Sequence, residues 1–363
     1  MLKHSKQMER DTLELTKVFG ASGHENDVAL IVKKKLSRIQ GIRFDKDNLG
    51  SLMALKKGTG GKNAPLISLD AHMDEVAFMV SNIDSKGFIS MEPLGGWWGH
   101  VVLGQLVDIS TRNGNVVRGI VGSTPPHILK PAQQKQVLRV QQMFIDVGAR
   151  NEKEVSKLGI NIGDVILPHS ESWIMPNGDY IVGKGLDDRA GLAIAIEVMR
   201  RLNKVKHESN VMLIGAVQEE VGLRGAKTAS YKWTPDVAFA IDVTISNDQP
   251  GMEPKPASIG SGVSLSLFDA SVISNPKLRR AIESIAKKNK IPFTYDGLAA
   301  GGTDAGAIHL ARDGVITMVL SIPSRYIHSH NSLVSLTDMQ ATVDVLVNFI
   351  KDFNRNKLNL LKK

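Results

Sequence analysis

The feature that most constrains the fold is a change of sequence pattern in the middle of the chain. From about residue 77 to 180, short β-type runs such as QLVDIST, NVVRGIVGS, MFIDVGA and DVILPHS recur, with glycine and proline between them. This stretch shows little helical periodicity, which predicts a small all-β unit. Because the sequence on both sides has a different pattern, we expect this unit to interrupt another fold.

The flanking segments, 1–76 and 181–363, mix helical patterns with apolar strands. Helical patterns such as DRAGLAIAIEVMRRLNK and PKLRRAIESIAKKNK lie near strand patterns such as VMLIGAV and VAFAIDVT. Helices and strands in rotation predict an α/β fold in three layers, with helices on both faces of a mixed sheet. We therefore predict one domain, 1–76 plus 181–363, interrupted by a β insert, 77–180.

Side chains that bind metals or transfer protons recur at the ends of the predicted elements. They are His72 and Asp74 in DAHMDE, Asp187 in GKGLDDRAG, the pair Glu219–Glu220 in QEEVG, Asp242 in AIDVT, and His328 in RYIHSHNS. Ligands of open α/β sheets bind outside the carboxyl ends of the strands. We therefore predict that five separate segments meet in one crevice.

These residue types suit a pair of divalent metal ions. Imidazole and carboxylate ligands without sulfur are typical of Zn²⁺, Co²⁺ or Mn²⁺. Two such ions about 3.5–4 Å apart polarise a carbonyl group and generate hydroxide at neutral pH. The pair needs a bridging carboxylate, for which Asp187 is well placed, and Asp74 could reach back to orient the imidazole of His72.

The adjacent glutamates Glu219 and Glu220 need an explanation, because like charges in contact repel. Neighbouring side chains of a regular strand face opposite ways, so the chain must bend here if both serve one site. Gly222 is compatible with such a bend. The pair is explained if one glutamate binds metal and the other takes the proton from water.

Each of these residues alone also has an ordinary structural explanation. Asp187–Asp188 could cap a helix and place acids in its first turn. Glu219–Glu220 could be a solvated strand end, Asp242 could open an Asx turn, and His328 could be a loop histidine. Their joint occurrence at the ends of elements favours a metal site.

Composition excludes several classes of protein. The chain has no cysteine, which rules out disulfides, thiolate zinc sites and thiol nucleophiles, and suits a reducing cytoplasm. The N-terminal segment has no apolar run of signal-peptide length, and no stretch approaches the roughly 20 apolar residues of a membrane span. We therefore expect a cytoplasmic protein without membrane contact.

The net charge of +8 raises the question of nucleic-acid binding. The lysines, however, are scattered in short runs such as residues 33–35, on predicted polar helix faces. With only 5% aromatic residues, a platform for base stacking is not expected. We predict no nucleic-acid partner and interpret the charge as favouring solubility and anionic substrates.

Six segments in order, AHMDEVAFMV, GKGLDDRAG, QEEVGLRGA, AIDVT, GGTDAGAIH and PSRYIHS, resemble the signatures of the M42 family of metallo-aminopeptidases. This is the group of glutamyl and tetrahedral aminopeptidases, and some members have been labelled endoglucanases. The resemblance covers nearly the whole chain. It implies a di-metal aminopeptidase, with a PDZ-like or barrel-like dimerisation domain as the β insert and a catalytic domain around it.

The resemblance also implies roles for individual residues. One metal ion would be held by His72, Asp187 and Asp242, and a second ion by Asp187, Glu220 and His328. Glu219 would be the general base that activates a metal-bridging water, and Asp74 the partner of His72. The peptide bond between Asp187 and Asp188 would be cis.

Three further expectations follow from the same resemblance. The substrates would be peptides, and dimers would assemble into a hollow tetrahedral dodecamer. His330 could replace or assist His328 as a ligand. Trp97 and Trp98 would lie in the core of the insert or at an interface, or else line the substrate chamber.

The choice of substrate stays open in the sequence. A preference for N-terminal glutamate or aspartate would need a cation in the first pocket, for which Arg224, Lys255 and Arg325 are candidates. The segment 299–307, AAGGTDAGA, either lines the substrate pocket or is simply a glycine-rich loop leading into a helix. A glycoside hydrolase is the alternative enzyme class, but it would need only two carboxylates and no metal.

Overall fold

The computed structural model describes residues 4–253 and 256–363. The helices, α1 to α10, span Lys6–Leu15, Asn26–Leu36, Pro131–Gln134, Glu152–Lys157, Leu186–Leu202, Arg224–Lys232, Pro276–Lys288, Ala305–Ile308, Leu336–Asp352 and Arg355–Lys362. Strands β1 to β9 span Ile42–Lys46, Leu52–Lys56, Leu66–His72, Ala77–Ile83, Ile89–Leu94, Leu106–Ser110, Val116–Gly122, Phe144–Asp146 and Val165–Pro168. Strands β10 to β17 span Trp173–Ile174, Tyr180–Gly183, Asn210–Ala216, Val237–Ile245, Val263–Ser266, Phe293–Asp296, Ile316–Arg325 and Ser332–Ser335.

The main sheet is mixed, as the sequence pattern predicts. Its strands follow the order β1-β2-β12-β3-β13-β16-β17-β11-β10, and β14 pairs with β15 and β16. The central strands β12, β3, β13 and β16 are parallel, whereas β2 and β17 pair with their neighbours in antiparallel orientation. The carboxyl ends of the four parallel strands therefore lie along one edge of the sheet.

Helices cover both faces of this sheet. In β13, Phe239 and Ile241 are buried in the large core that contains residues of α5 and α9. Ala238, which directly precedes Phe239, packs instead with Ala226 of α6 and Ile308 of α8. Because successive strand residues face opposite sides, the helices form two layers with the sheet between them. The predicted three-layer α/β/α fold is confirmed.

The predicted all-β unit is a closed barrel. Strands β4-β5-β8-β7-β6-β9 form it, and its interior is a separate apolar core with Phe78, Ile109, Ile145 and Ile166 among its members. These strands lie between β3 and β11 in the chain, so the barrel is inserted after a strand whose end carries His72. The domain limits after residues 76 and 180 stay a prediction.

The barrel packs against the rest of the protein close to the end of β3. Ala77, Val165 and Leu167 of the barrel share a small apolar cluster with Ala21, which lies between α1 and α2. The barrel strands and the carboxyl edge of the main sheet are therefore neighbours. In the described part of the chain, no helix is both long and apolar enough to cross a bilayer.

Candidate active site

His72 is the best supported residue of the site. It is the last residue of β3, and its side chain is only 2% exposed. Its Nδ1 lies 3.0 Å from the carbonyl oxygen of Asp74 and 3.5 Å from the Asp74 carboxylate. Because a carbonyl oxygen only accepts hydrogen bonds, Nδ1 carries a proton, and Nε2 is the nitrogen that faces the other residues of the site.

Asp187 lies between the two histidines. Its Oδ1 is 3.0 Å from Nε2 of His72, and its Oδ2 is 3.3 Å from Nε2 of His328. One carboxylate thus faces two imidazoles with its two oxygens. The peptide bond between Asp187 and Asp188 is cis, as the sequence resemblance implies.

Asp188 both accepts a hydrogen bond from the first turn of α5 and lies beside the candidate metal ligands. Its Oδ1 accepts a hydrogen bond of 2.9 Å from the backbone N–H of Gly191, in the first turn of α5. Its Oδ2 is buried without a hydrogen-bond partner among the described residues. Asp188 also groups closely with His72 and Asp242 in an arrangement that could hold a metal ion. From the sequence, Asp188 was named only as a helix cap. Its position next to the predicted ligand Asp187 was the signal that could have placed it at the site.

The Glu219–Glu220 pair follows a sharp bend, as the sequence predicts. After β12 ends, Gln218 has left-handed backbone, with φ 57°, which turns the chain away from the strand direction. Gly222 has φ 125°. The backbone N–H groups of Glu219 and Glu220 donate to the two oxygens of Asp74, at 2.9 and 3.2 Å. Asp74 therefore positions both the His72 imidazole and the turn that carries the glutamates.

The two glutamate side chains face different parts of the site. Oε2 of Glu219 lies 3.9 Å from Nε2 of His72. Oε2 of Glu220 lies 3.3 Å from Nε2 of His328, while its Oε1 is buried without a partner in the described structure. Asp242, in β13, has Oδ1 at 4.0 Å from Nε2 of His72. All five segments named from the sequence therefore meet at one place.

His330 lies apart from this group. It is buried, neither of its ring nitrogens has a hydrogen-bond partner among the residues described, and its ring contacts Trp97 edge-on at 5.8 Å. Burial lowers its pKa to about 4. Trp97 in turn stacks on Phe78 at 4.5 Å and donates to the carbonyl of Ala77. His330 therefore belongs to the contact between the barrel and the main sheet.

Two glycines allow the barrel to approach the site closely. A Cβ on Gly96 would lie 3.1 Å from Nδ1 of His328, and a Cβ on Gly95 would lie 3.3 Å from Oε2 of Glu220. Gly95 also has φ 91°, which favours glycine. The two glycines of the motif GGWWGH therefore let the barrel backbone lie against His328 and Glu220. The sequence alone did not indicate this role for the glycines.

The carboxylates of the site interact strongly. Burial and neighbouring acids raise the pKa of Glu219 and of Asp242 well above the usual range. Burial and the charge of Asp187 raise the pKa of Glu220 to about 8. Burial opposes ionisation of Asp187 as well, but its hydrogen bonds with His328 and His72 lower its pKa below the usual value. So many buried carboxylates close together favour the binding of a cation at this site.

The pKa values of the two histidines are raised as well. Burial alone would lower the pKa of His328, but its hydrogen bond with Asp187 and the charge of Glu220 raise it to about 9. In the same way, burial of His72 is outweighed by Glu219 and Asp187, so that its pKa lies well above the usual value. Without a bound cation, both imidazoles are therefore favoured in the protonated form, where they balance the acids.

A further charged group lies behind the site. Arg189 is fully buried, and its NH2 group lies 3.3 Å from the carboxylate of Glu75, which also accepts a bond of 2.7 Å from Lys184. Gly20 allows this approach, since a Cβ there would lie 2.4 Å from the guanidinium. This buried positive charge adjoins the acids of the site, and no sequence signal had distinguished it from ordinary helix surface.

A cavity of about 1010 Å³ opens beside these residues. Its lining includes Asp187, Glu219, Glu220, Asp242 and His328. Residues 300–303, from the glycine-rich segment, also line it, so this segment does belong to the pocket. The exposed Trp98 also contributes to the wall.

Comparison with known proteins decides the family. The family model described as M42 glutamyl aminopeptidase matches residues 50–345. The chain belongs to this family. The glutamyl aminopeptidase of Lactococcus lactis is 35% identical over 96% of this chain and 97% of its own. The lysyl aminopeptidase of Pyrococcus furiosus is 33% identical over 89% and 91% of the two chains.

Solved structures of the family have the same fold. The TET aminopeptidase of the marine sediment archaeon Thaumarchaeota archaeon SCGC AB-539-E09 has a TM-score of 0.94 and 37% identity, covering 98% of each chain. The TET1 peptidase of Pyrococcus horikoshii, which can assemble into a tetrahedron or a large octahedral shell, has a TM-score of 0.82 and 28% identity, over 95% of this chain and all of that one. Membership of the M42 family makes this protein a hydrolase of the aminopeptidase type.

Proposed function

We propose that this protein removes N-terminal residues from peptides with the help of two divalent metal ions, Zn²⁺, Co²⁺ or Mn²⁺. The ligands would be His72, Asp187, Asp242, Glu220 and His328. The observation that carries the proposal is the position of Asp187. Its two oxygens face one imidazole each, which is the arrangement that a bridging carboxylate requires.

The residues present fit such ions. The donors are imidazole nitrogens and carboxylate oxygens without sulfur, a set that suits these metals. Oε1 of Glu220 is buried without a partner among the described residues, although an unpaired buried carboxylate oxygen is costly. When bound, the ions would polarise the scissile carbonyl and ease the loss of a proton from water.

Glu219 is proposed as the general base. Its carboxylate borders the cavity and lies 3.9 Å from His72, and burial raises its pKa, as suits proton transfer near neutral pH. Glu219 takes a proton from the water that attacks the scissile carbonyl carbon. When the C–N bond breaks, the same proton passes to the leaving amine.

Asp74 is proposed as the residue that positions Glu219. Its carboxylate accepts the backbone N–H of Glu219 at 2.9 Å and a hydrogen bond of 2.6 Å from Ser22. Its backbone carbonyl fixes the tautomer of His72. A single buried residue, through its side chain and its backbone carbonyl, thus sets the relative position of the base and of one ligand.

Metal removal and one substitution test this proposal together. Hydrolysis of aminoacyl-p-nitroanilides should stop in EDTA and return with Zn²⁺, Co²⁺ or Mn²⁺. Glu219→Gln should lower kcat by about 10²–10⁴-fold while metal still binds, whereas the exposed Glu171→Gln serves as the control. Full activity in EDTA, or full activity of Glu219→Gln, would contradict the proposal.

The assembly is proposed to be a homo-oligomer in which the barrel, within residues 77–180, mediates dimerisation and dimers form a dodecamer. Exposed apolar residues on the barrel support this: Leu106 and Ile120 pair across β6 and β7 and are both exposed, and Val116 lies on the same strand as Ile120. Such patches mark protein contacts. Gel filtration with light scattering tests it, and a monomer at micromolar concentration would contradict it.

The remaining predictions from the sequence have less support. The cytoplasmic location stays a prediction. The acidic specificity also stays a prediction: Lys255 lies outside the described residues, Arg325 is paired with Asp248 at 2.6 and 2.9 Å, and Arg224 donates to Gln218. The glycoside-hydrolase alternative is not favoured, because it leaves the two histidines beside Asp187 without a role.

A further inference from the structure

Two loops that are fixed to each other form part of the cavity lining. One loop contains residues 269–272, and the other contains residues 299–306. The backbone N–H of Ala270 donates to the carbonyl of Gly301 at 3.1 Å. A Cβ on Gly306 would lie 2.2 Å from Oγ of Ser271, so only glycine permits this contact. The two loops therefore act as one wall of the cavity.

Asp269 joins the two loops. Its Oδ1 accepts hydrogen bonds from N and Oγ of Ser271, at 2.6 and 2.7 Å, and from the backbone of Val272 at 2.9 Å. Its Oδ2 accepts from Oγ1 of Thr303 at 3.0 Å. The carboxylate thus accepts four hydrogen bonds from the wall itself, which use most of its acceptor sites and leave it little capacity to bind a cationic substrate side chain.

Apart from Asp269, Glu219 and the proposed ligands, the cavity is lined by uncharged and largely apolar residues. Leucine, valine and isoleucine side chains line it at positions Leu223, Val243, Ile245, Leu298 and Ile327. Within residues 4–253 and 256–363, neither lysine nor arginine lines the cavity. An acidic side chain entering here would lose water without gaining a partner of opposite charge, which is unfavourable. Outside the proposed metal site, a basic side chain would meet only Asp269, whose acceptor sites are mostly used within the wall.

Relatives of similar identity are described as glutamyl and as lysyl aminopeptidases, so family membership does not determine which side chain is accepted. From the wall of the cavity we infer that this protein prefers an uncharged, apolar N-terminal side chain, of the size of leucine or methionine. This inference rests on the proposed aminopeptidase function and adds the substrate class. The proposed metal ligands and the proposed general base, Glu219, keep their roles.

The test compares kcat/KM for the p-nitroanilides of leucine, methionine, glutamate and lysine, with metal-loaded full-length protein. Leucine and methionine should exceed both charged residues by about tenfold or more. A higher kcat/KM for glutamate or lysine would overturn the inference and leave the aminopeptidase function intact. If none of the four is cleaved, and unmodified peptides are not cleaved either, the proposed function itself fails and the inference fails with it.

Variants locate the preference in the wall. Leu298→Arg should raise the ratio of glutamate to leucine turnover by about tenfold, whereas Leu310→Arg, at an exposed leucine outside the cavity lining, should leave the ratio as it is. Lys255→Ala tests the candidate cation that lies outside the described residues. A selective loss of glutamate turnover in Lys255→Ala would identify Lys255 as the pocket cation and overturn the inference, and an unchanged ratio supports it.

Discussion

The two ends of the proposed metal site are built differently. The buried half, which we define as His72 and Asp242, lies on the parallel strands β3 and β13, and the His72 side chain is 2% exposed. The open half, which we define as Glu220 and His328 and name after its histidine, lies on turns. The His328 side chain is 36% exposed, whereas the Glu220 side chain is 4% exposed. His328 also has left-handed backbone, with φ 56°.

The difference teaches how a site can combine rigidity with access. Strands held in a sheet fix the buried half before any ligand arrives, since His72 is also oriented by Asp74. The open half depends on a turn, and on Gly96 of the barrel, for its position. We expect the buried half to bind its ion more tightly and the open half to exchange its ion more readily.

The largest expected effect comes from removing one histidine at a time. His72→Ala and His328→Ala should both nearly abolish peptide hydrolysis, because either change removes a ligand. Their metal content should differ: His328→Ala should keep one tightly bound ion per chain, whereas His72→Ala should keep only weakly bound metal. Isothermal titration with Zn²⁺ measures this difference, and tighter binding by His72→Ala would reverse the comparison.

A smaller effect is expected from the residue that supports the buried half. Asp74→Asn keeps the backbone carbonyl that orients His72 but weakens the bonds to the N–H groups of Glu219 and Glu220. It should reduce metal affinity or activity by about 10–100-fold. The exposed Asp313→Asn is a matched control. If both variants behave alike, Asp74 does not position the site.

The open half is probed by a change in the barrel. Gly96→Ala places a Cβ 3.1 Å from Nδ1 of His328, so the imidazole must shift. The affinity for the second ion should fall by less than in Asp74→Asn, while the first ion binds as before. Zn²⁺ titration of the same sample reports both ions. A loss confined to the first ion would show that the two halves are not independently supported.

The smallest effect is the pH dependence of the metal-free protein. The pKa of Glu220 is raised to about 8 and that of His328 to about 9, above their unfolded values near 4.5 and 6.5. Between pH 6.5 and 8 the folded state therefore binds more protons than the unfolded state, so stability falls as pH rises. The melting temperature of the metal-free protein should fall over this range.

Bound metal should reverse this trend, because ions displace the protons. Differential scanning calorimetry at several pH values, with and without Zn²⁺, measures the stabilisation by metal, which should grow with pH. Glu220→Gln should flatten the slope of the metal-free protein. A melting temperature that rises with pH in the absence of metal would contradict the assigned directions.

The buried half and the layers of the fold could be predicted from sequence because they follow strand periodicity. His72 and Asp242 end or follow apolar runs, and ligands collect at the carboxyl ends of parallel strands. The bend at Glu219–Glu220 was also predictable, since two adjacent acids cannot face one site from a straight strand. These signals are local and need no knowledge of distant contacts.

Other features depend on contacts between distant segments. The approach of Gly96 to His328, the contact of the buried Arg189 with Glu75 and the bond from Thr303 to Asp269 join segments far apart in the chain. No local pattern distinguishes Asp269 from an ordinary loop aspartate. The contact of His330 with Trp97 likewise could not be predicted from the sequence, because it forms only when the barrel packs against the main sheet.

The central claim is that five segments hold two metal ions side by side, with Asp187 between them. Anomalous diffraction from crystals grown with Zn²⁺ or Co²⁺ tests it most directly. The account predicts two peaks, one beside His72 and Asp242 and the other beside Glu220 and His328, with one carboxylate oxygen of Asp187 at each. A single peak, or ions bound away from Asp187, would contradict it.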